Sequence, residues 1–153
     1  MTRDERSGRH DVSYFDSAFI AKFYLDEPES EAVRALAERL GRVCCNVLGR
    51  LEVASVFHRK WREVAFGDAA YKELSAQFDD DCAAGVWTWL PISPALIEVA
   101  SNAMQGLPKT TLLRSADALH IVSAREHGLK EIYSNDRQLL AAAKQLNVKA
   151  MGV

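Results

Sequence analysis

Two hydrophobic periods alternate along the chain. Brief apolar runs at residues 12–15, 43–46, 87–90 and 131–134 are too short for helices and read as buried strands, with 148–150 as an edge strand. Between them, apolar residues recur every three or four positions. That spacing predicts helices over 18–25, 29–40, about 47–65, 67–84, 94–104, about 112–127 and 135–146. Local residues set the ends. Asp16 and Ser17 offer an N-cap, Pro28 opens the second helix and Gly41 stops it, and Asn46 can cap the third. Thr110 or Thr111 can cap the sixth helix, Gly128 ends it, and Asn135-Asp136 opens the last. Strands alternating with helices predict an α/β fold, a single domain over 12–153 with a central, mostly parallel sheet of about five short strands flanked by helices. The polar opening, residues 1–11, is expected to be a flexible tail.

The third predicted helix carries Leu51, Ala54, Phe57, Trp61, Val64 and Ala65 on one stripe, which assigns them to the core and leaves Glu52 off it. A helical hairpin with the fourth turns Tyr71, Leu74 and Phe78 inward. Its aromatic residues Phe57, Trp61, Phe66, Tyr71 and Phe78 exceed what two short helices need to pack on each other. Part of that area is expected to bury against a second subunit or a partner helix. Asp79, Asp80 and Asp81 are consecutive on a helix, point in different directions and read as a solvated patch. Trp87 and Trp89 read as core or interface.

The sixth helix has an acid inside its apolar surface. Leu112, Leu113, Ala116, Ala118, Leu119, Ile121, Val122 and Ala124 cover most of its circumference, and Asp117 sits among them. A buried carboxylate needs a partner, a set of hydrogen bonds or a metal. Arg114, three residues earlier, is the simplest partner. His120 on the same helix reads better as a hydrogen-bonded core histidine than as a general base. Asp16 and Asp136 follow strands, however, and Glu52 lies early in a helix. Acids after parallel strands face the edge where sites form in such folds. If the four converge, their mutual repulsion calls for a divalent cation. An all-oxygen set selects Mg2+ or Mn2+ over zinc, and one or two such ions can drive phosphodiester hydrolysis without a covalent enzyme intermediate.

Composition narrows the picture further. The chain has 153 residues, a formal net charge of −2, 48% hydrophobic and 26% charged residues, as ordinary globular domains do. That balance excludes a general nucleic-acid coat, so contacts to a polyanion must be local. Lys22, Arg50, Arg59, Arg62 and Arg114 stand nearest the acids in sequence and are the candidate phosphate contacts. Cys44, Cys45 and Cys82 make no ligand spacing and read as reduced thiols. No run reaches the roughly 20 apolar residues of a membrane span, and no apolar signal core opens the chain. A cytoplasmic location is expected.

Four segments together carry a family resemblance. Tyr14-Phe15-Asp16-Ser17-Ala18 with Lys22, Leu51-Glu52-Val53, Ala116-Asp117-Ala118-Leu119-His120 and Ser134-Asn135-Asp136 resemble the spaced acidic motifs of PIN-domain nucleases. More narrowly, the chain resembles VapC-type toxins of bacterial toxin–antitoxin pairs. The resemblance implies a magnesium- or manganese-dependent endoribonuclease that cleaves RNA, is inhibited by a cognate antitoxin and forms homodimers. Carried over by position, Asp16, Glu52, Asp117 and Asp136 would be the catalytic, metal-binding acids, with Ser17, Ser134 and Asn135 in support.

Other readings fit the residues less well. A phosphotransferase of the haloacid dehalogenase type needs a second Asp two residues after the first, where Ala18 stands. A receiver domain needs paired early acids and a phosphoacceptor after the third strand, where Leu90-Pro91-Ile92 offers none. The non-enzyme alternative is a PIN-like metal-binding module whose acids serve a structural or interaction role.

Overall fold

A computed structural model describes residues 12–129 and 131–153. The polar opening expected to be a tail lies outside the described residues. Five strands form one sheet: β1 (Ser13–Phe15), β2 (Val43–Asn46), β3 (Trp87–Leu90), β4 (Glu131–Tyr133) and β5 (Lys149–Met151). Every pairing is parallel, in the order β3-β2-β1-β4-β5. Seven helices connect and cover the strands among the described residues: α1 (Ser17–Tyr24), α2 (Ser30–Leu40), α3 (Leu48–Arg62), α4 (Asp68–Ala83), α5 (Pro94–Gln105), α6 (Ser115–Glu126) and α7 (Arg137–Gln145). The chain leaves β1 toward β2 on one side and later returns to β4 on the other. The strand order therefore reverses between β1 and β4, and the carboxyl ends of these two strands are where open parallel sheets place their binding crevice.

Sheet and helices share one core. Tyr14, Phe15, Cys44, Cys45 and Ile132 are fully buried in the strands, as parallel strands covered on both faces require. The helix α6 is buried continuously from Asp117 to Ala124. Cys44 and Cys45 are buried free thiols, and burial raises the Cys44 pKa to about 12, which keeps it protonated and inert. Asp81 is tied into this packing: Trp87 Nε1 donates to the Tyr24 hydroxyl, which donates to Asp81 Oδ2, each at 2.6 Å. Asp79 and Asp80 remain exposed.

Three expectations change. The inward face of α3 is Gly49, Val53 and Phe57, and of the expected stripe Phe57 alone is buried: Leu51 is 66% exposed and Val64 83% exposed. The helix stops at Arg62, so Val64 falls in a turn rather than on a continued face. Glu52 consequently lies beside the buried side of the helix, adjacent to Val53. The helix α6 begins at Ser115 rather than near residue 112, because Thr111 turns back onto Pro108 and its hydroxyl donates to Gln145 instead of capping. The hairpin aromatics are largely used internally. Phe57 and Phe78 are buried, and Trp61 stacks on Tyr71 at 4.6 Å between ring centroids. Exposed apolar side chains include the aliphatic Val47, Leu51, Val64, Ile97 and Leu112.

Candidate functional site

Three of the four acids sit where an element begins. Asp16 ends β1 and caps α1, its Oδ1 accepting from the Phe19 amide at 2.9 Å. Asp136 follows β4 and caps α7, its Oδ1 accepting from the Gln138 and Leu139 amides at 2.9 and 3.0 Å. Asp117 is the third residue of α6 and only 8% exposed. A carboxylate there also gains from the helix dipole. Capping and the proposed chemistry are compatible, since each cap uses one oxygen and leaves the other.

A single guanidinium joins two of them. Arg114 Nε donates to Asp117 Oδ2 at 3.0 Å and Nη2 to Asp136 Oδ2 at 3.3 Å. Asp117, then Asp136 and Glu52, raise the Arg114 pKa, so Glu52 lies within the same field. Ser134, fully buried, links the remaining pair. Its hydroxyl accepts from the Asp136 amide at 3.0 Å and lies near enough to Asp16 to favour that carboxylate's charged form. Burial raises the Asp16 pKa. Ser134, the Phe19 amide and His120 oppose that rise, while the neighbouring Asp117 charge adds to it.

Glu52 meets a different partner. Its Oε1 lies 2.6 Å from His120 Nε2, and His120 Nδ1 lies 2.7 Å from the Tyr14 hydroxyl. His120 is 1% exposed, the hydrogen-bonded core histidine that its position on α6 suggested. Burial disfavours its charged form, but Cys45 and Glu52 outweigh burial and carry its pKa well above the ordinary value.

The candidate basic and supporting residues divide by location. Lys22 is paired with Glu27 and Glu29, both at 3.0 Å, which commits its ammonium away from the acids. Arg50 stands 3.9 Å from Asp79. Arg59 and Arg62 are exposed on α3, roughly 10 and 15 Å along the helix axis from Glu52 at ~1.5 Å per residue. Arg114 alone touches the acids. Ser17 opens α1 and is half-buried, and Asn135 Oδ1 accepts from the Val153 amide at 3.0 Å, holding the last strand's exit. The part of Tyr14 in the site escaped the sequence reading. Its signal was there, since it precedes Asp16 by two positions and a strand returns to the same face every second residue.

Among the described residues, no three Asp, Glu, His or Cys side chains stand together as a ready ligand set. The donor chemistry nonetheless fits a hard divalent cation. The donors are carboxylate oxygens, Asp16 is buried against a second acid, and the charge of Asp117 and Asp136 is neutralised by an Arg114 side chain that is 73% exposed and swings away at little cost.

The sequence pattern of the PIN domain matches residues 13–145, and the chain belongs to the PIN domain family of nucleases, whose members generally use divalent metal ions. Among solved structures, the fold is similar to that of Mycobacterium tuberculosis VapC20, a Sarcin-Ricin loop cleaving toxin, with 18% identity, a TM-score of 0.66, and coverage of 86% of this chain and 95% of that one. It is also similar to FitAcB from Neisseria gonorrhoeae, with 15% identity, a TM-score of 0.67, and coverage of 92% and 96%. A third similar structure is FitAB bound to an IR36 DNA fragment, with 14% identity, a TM-score of 0.66, and coverage of 93% and 94%. No curated protein matches the chain by sequence. Among the described residues, no helix is long and apolar enough to cross a membrane.

Proposed function

We propose that this chain is a magnesium- or manganese-dependent endoribonuclease and acts in the cytoplasm as the toxin of a toxin–antitoxin pair. The carrying observation is the network at the β1–β4 crevice, where Asp16, Asp117 and Asp136 are joined through Ser134 and Arg114 and Glu52 lies in the same field. Asp16, Glu52, Asp117 and Asp136 would hold the ion. When bound, such an ion polarises a phosphoryl oxygen and lowers the pKa of a water near it. The chain's own residues do the rest. Ser134 and the α1 and α7 amides orient Asp16 and Asp136, and the exposed Arg114 releases its carboxylates and turns to the phosphate. Arg50, Arg59 and Arg62 extend that contact along α3, which makes binding sensitive to salt.

Two surfaces suit the partners of such a toxin. The groove lined by Tyr24, Leu25, Phe66 and Leu74, about 390 Å³, takes apolar side chains of an antitoxin helix and carries the Lys60–Glu27 ion pair at its edge. The apolar face around Leu48, Ile97, Met104 and Leu119 suits a second copy of the chain. VapC20 is described as a Sarcin-Ricin loop cleaving toxin, which favours structured RNA as the first substrate to assay.

Purified protein should cut RNA in magnesium or manganese and stop in EDTA. Asp117→Asn should abolish cleavage while keeping the wild-type melting midpoint. Cleavage at the wild-type rate by that variant would remove α6 from the reaction. Metal-raised melting with no cleavage of any RNA would instead favour the non-catalytic module.

A further inference from the structure

His120 is a fully buried polar side chain of the site, and its contacts fix where its protons lie. The Tyr14 hydroxyl accepts from the Asn46 amide at 3.0 Å, so its own proton must go elsewhere. The acceptor near it is His120 Nδ1 at 2.7 Å, while the Cys45 thiol donates toward the hydroxyl at 3.9 Å. The first is a strong hydrogen bond and the second a marginal one. Tyr14 therefore donates to Nδ1 of the neutral ring, whose proton then resides on Nε2, and a charged ring carries a proton on Nε2 as well; in both states an N–H faces Glu52 Oε1 at 2.6 Å. The same strand end sets the helix that carries Glu52. Asn46 Oδ1 accepts from the Gly49 amide at 3.1 Å, and its Nδ2 donates to Ser123 at 3.3 Å on the helix of His120. Glu52 and His120 are thus locked together across β1, β2, α3 and α6.

We infer that His120 is a positioning residue for Glu52, an imidazole anchored on Tyr14 whose Nε2–H holds one carboxylate oxygen and leaves the other for the cation. This rests on the metal-site reading above. Groups that orient a metal's carboxylate through its second oxygen act on affinity without touching the ion. A core histidine with only a packing role would give no such effect once the fold is intact.

The test has two arms. In protein labelled with 15N-histidine and free of metal, the His120 ring should show a protonated Nε2; a bare Nε2 overturns the inference. In calorimetry with manganese, His120→Leu should weaken binding by roughly tenfold or more. His120→Gln, whose amide can donate from the place of Nε2, should recover most of it. Glu52→Gln should make the His120→Leu change silent. A folded His120→Leu variant with wild-type manganese affinity, or one that weakens binding equally in the Glu52→Gln background, overturns the inference. If His120→Leu fails to fold, the comparison of His120→Gln with Tyr14→Phe decides it: Tyr14→Phe should weaken binding more, and equal wild-type affinity in both overturns the inference. A wild-type chain that binds no manganese sinks the site reading as well, whereas binding with these outcomes reversed sinks only this step.

Discussion

Arg114 Nε lies 3.0 Å from Asp117 Oδ2, and the same guanidinium reaches Asp136 at 3.3 Å. It therefore stands where a cation would serve the two acids. With the Arg114 side chain 73% exposed, such a pairing contributes about 1 kcal/mol. Arg114→Ala should accordingly tighten manganese binding by up to about fivefold, since each ~1.4 kcal/mol is tenfold, and should raise the KM for RNA. Calorimetry giving weaker metal binding in the variant would show that Arg114 supports the ion rather than competing with it.

Asp16 sets a pH dependence. Its folded pKa is raised above the ordinary 3.8 by burial, so the favourable state is the protonated one. That stability is fully present below the unfolded pKa and is lost as pH rises through the raised folded value. Asp16→Asn keeps a good capping side chain and removes the charge. In EDTA near neutral pH the variant should melt higher, by about 3 °C for each kcal/mol recovered, and the gain should vanish in acid below 3.8. Manganese should reverse the order by stabilising the wild type alone. Equal melting at all pH values in EDTA would mean that the buried charge is fully compensated.

Val64 offers a stability gain away from the site. It has φ of 60°, a region that burdens a β-branched residue, and its side chain is 83% exposed. Val64→Gly should stabilise the protein by about 1 kcal/mol, the relief of left-handed strain less the glycine entropy. Urea unfolding reads this directly, and a lower midpoint would reveal contacts that the exposed side chain does make.

Ile97 is 48% exposed and lines the apolar groove of about 460 Å³ with Leu48 and Leu119. Ile97→Glu should turn a homodimer into a monomer in light scattering at unchanged RNA-independent melting of the subunit fold. A wild type that is monomeric at micromolar concentration would set the dimer aside.

The sequence by itself determined the elements and their order. Four-residue segments with two or three apolar residues are too short for helices and read as strands, and Asp16, Asp136, Gly41 and Gly128 mark helix ends by side-chain and backbone chemistry that acts within a few residues. An acid after a parallel strand falls at the sheet's carboxyl edge by connectivity alone, so Asp16 and Asp136 were legible as site candidates, and Asp117 was conspicuous on an apolar helix. Tertiary structure decided what no local pattern encodes. The inward face of α3 kept Phe57 from the expected stripe but took Gly49 and Val53 in place of Leu51 and Ala54, because packing against α1 and the sheet, not periodicity, selects among several apolar faces. The helix α6 lost its first expected turn because Thr111 found Gln145, 34 residues away in sequence. The pairing of His120 with Glu52 spans 68 residues, and Tyr14 completes it from 106 residues away. Contacts of that range depend on strand order and helix docking, which are set by the whole core at once.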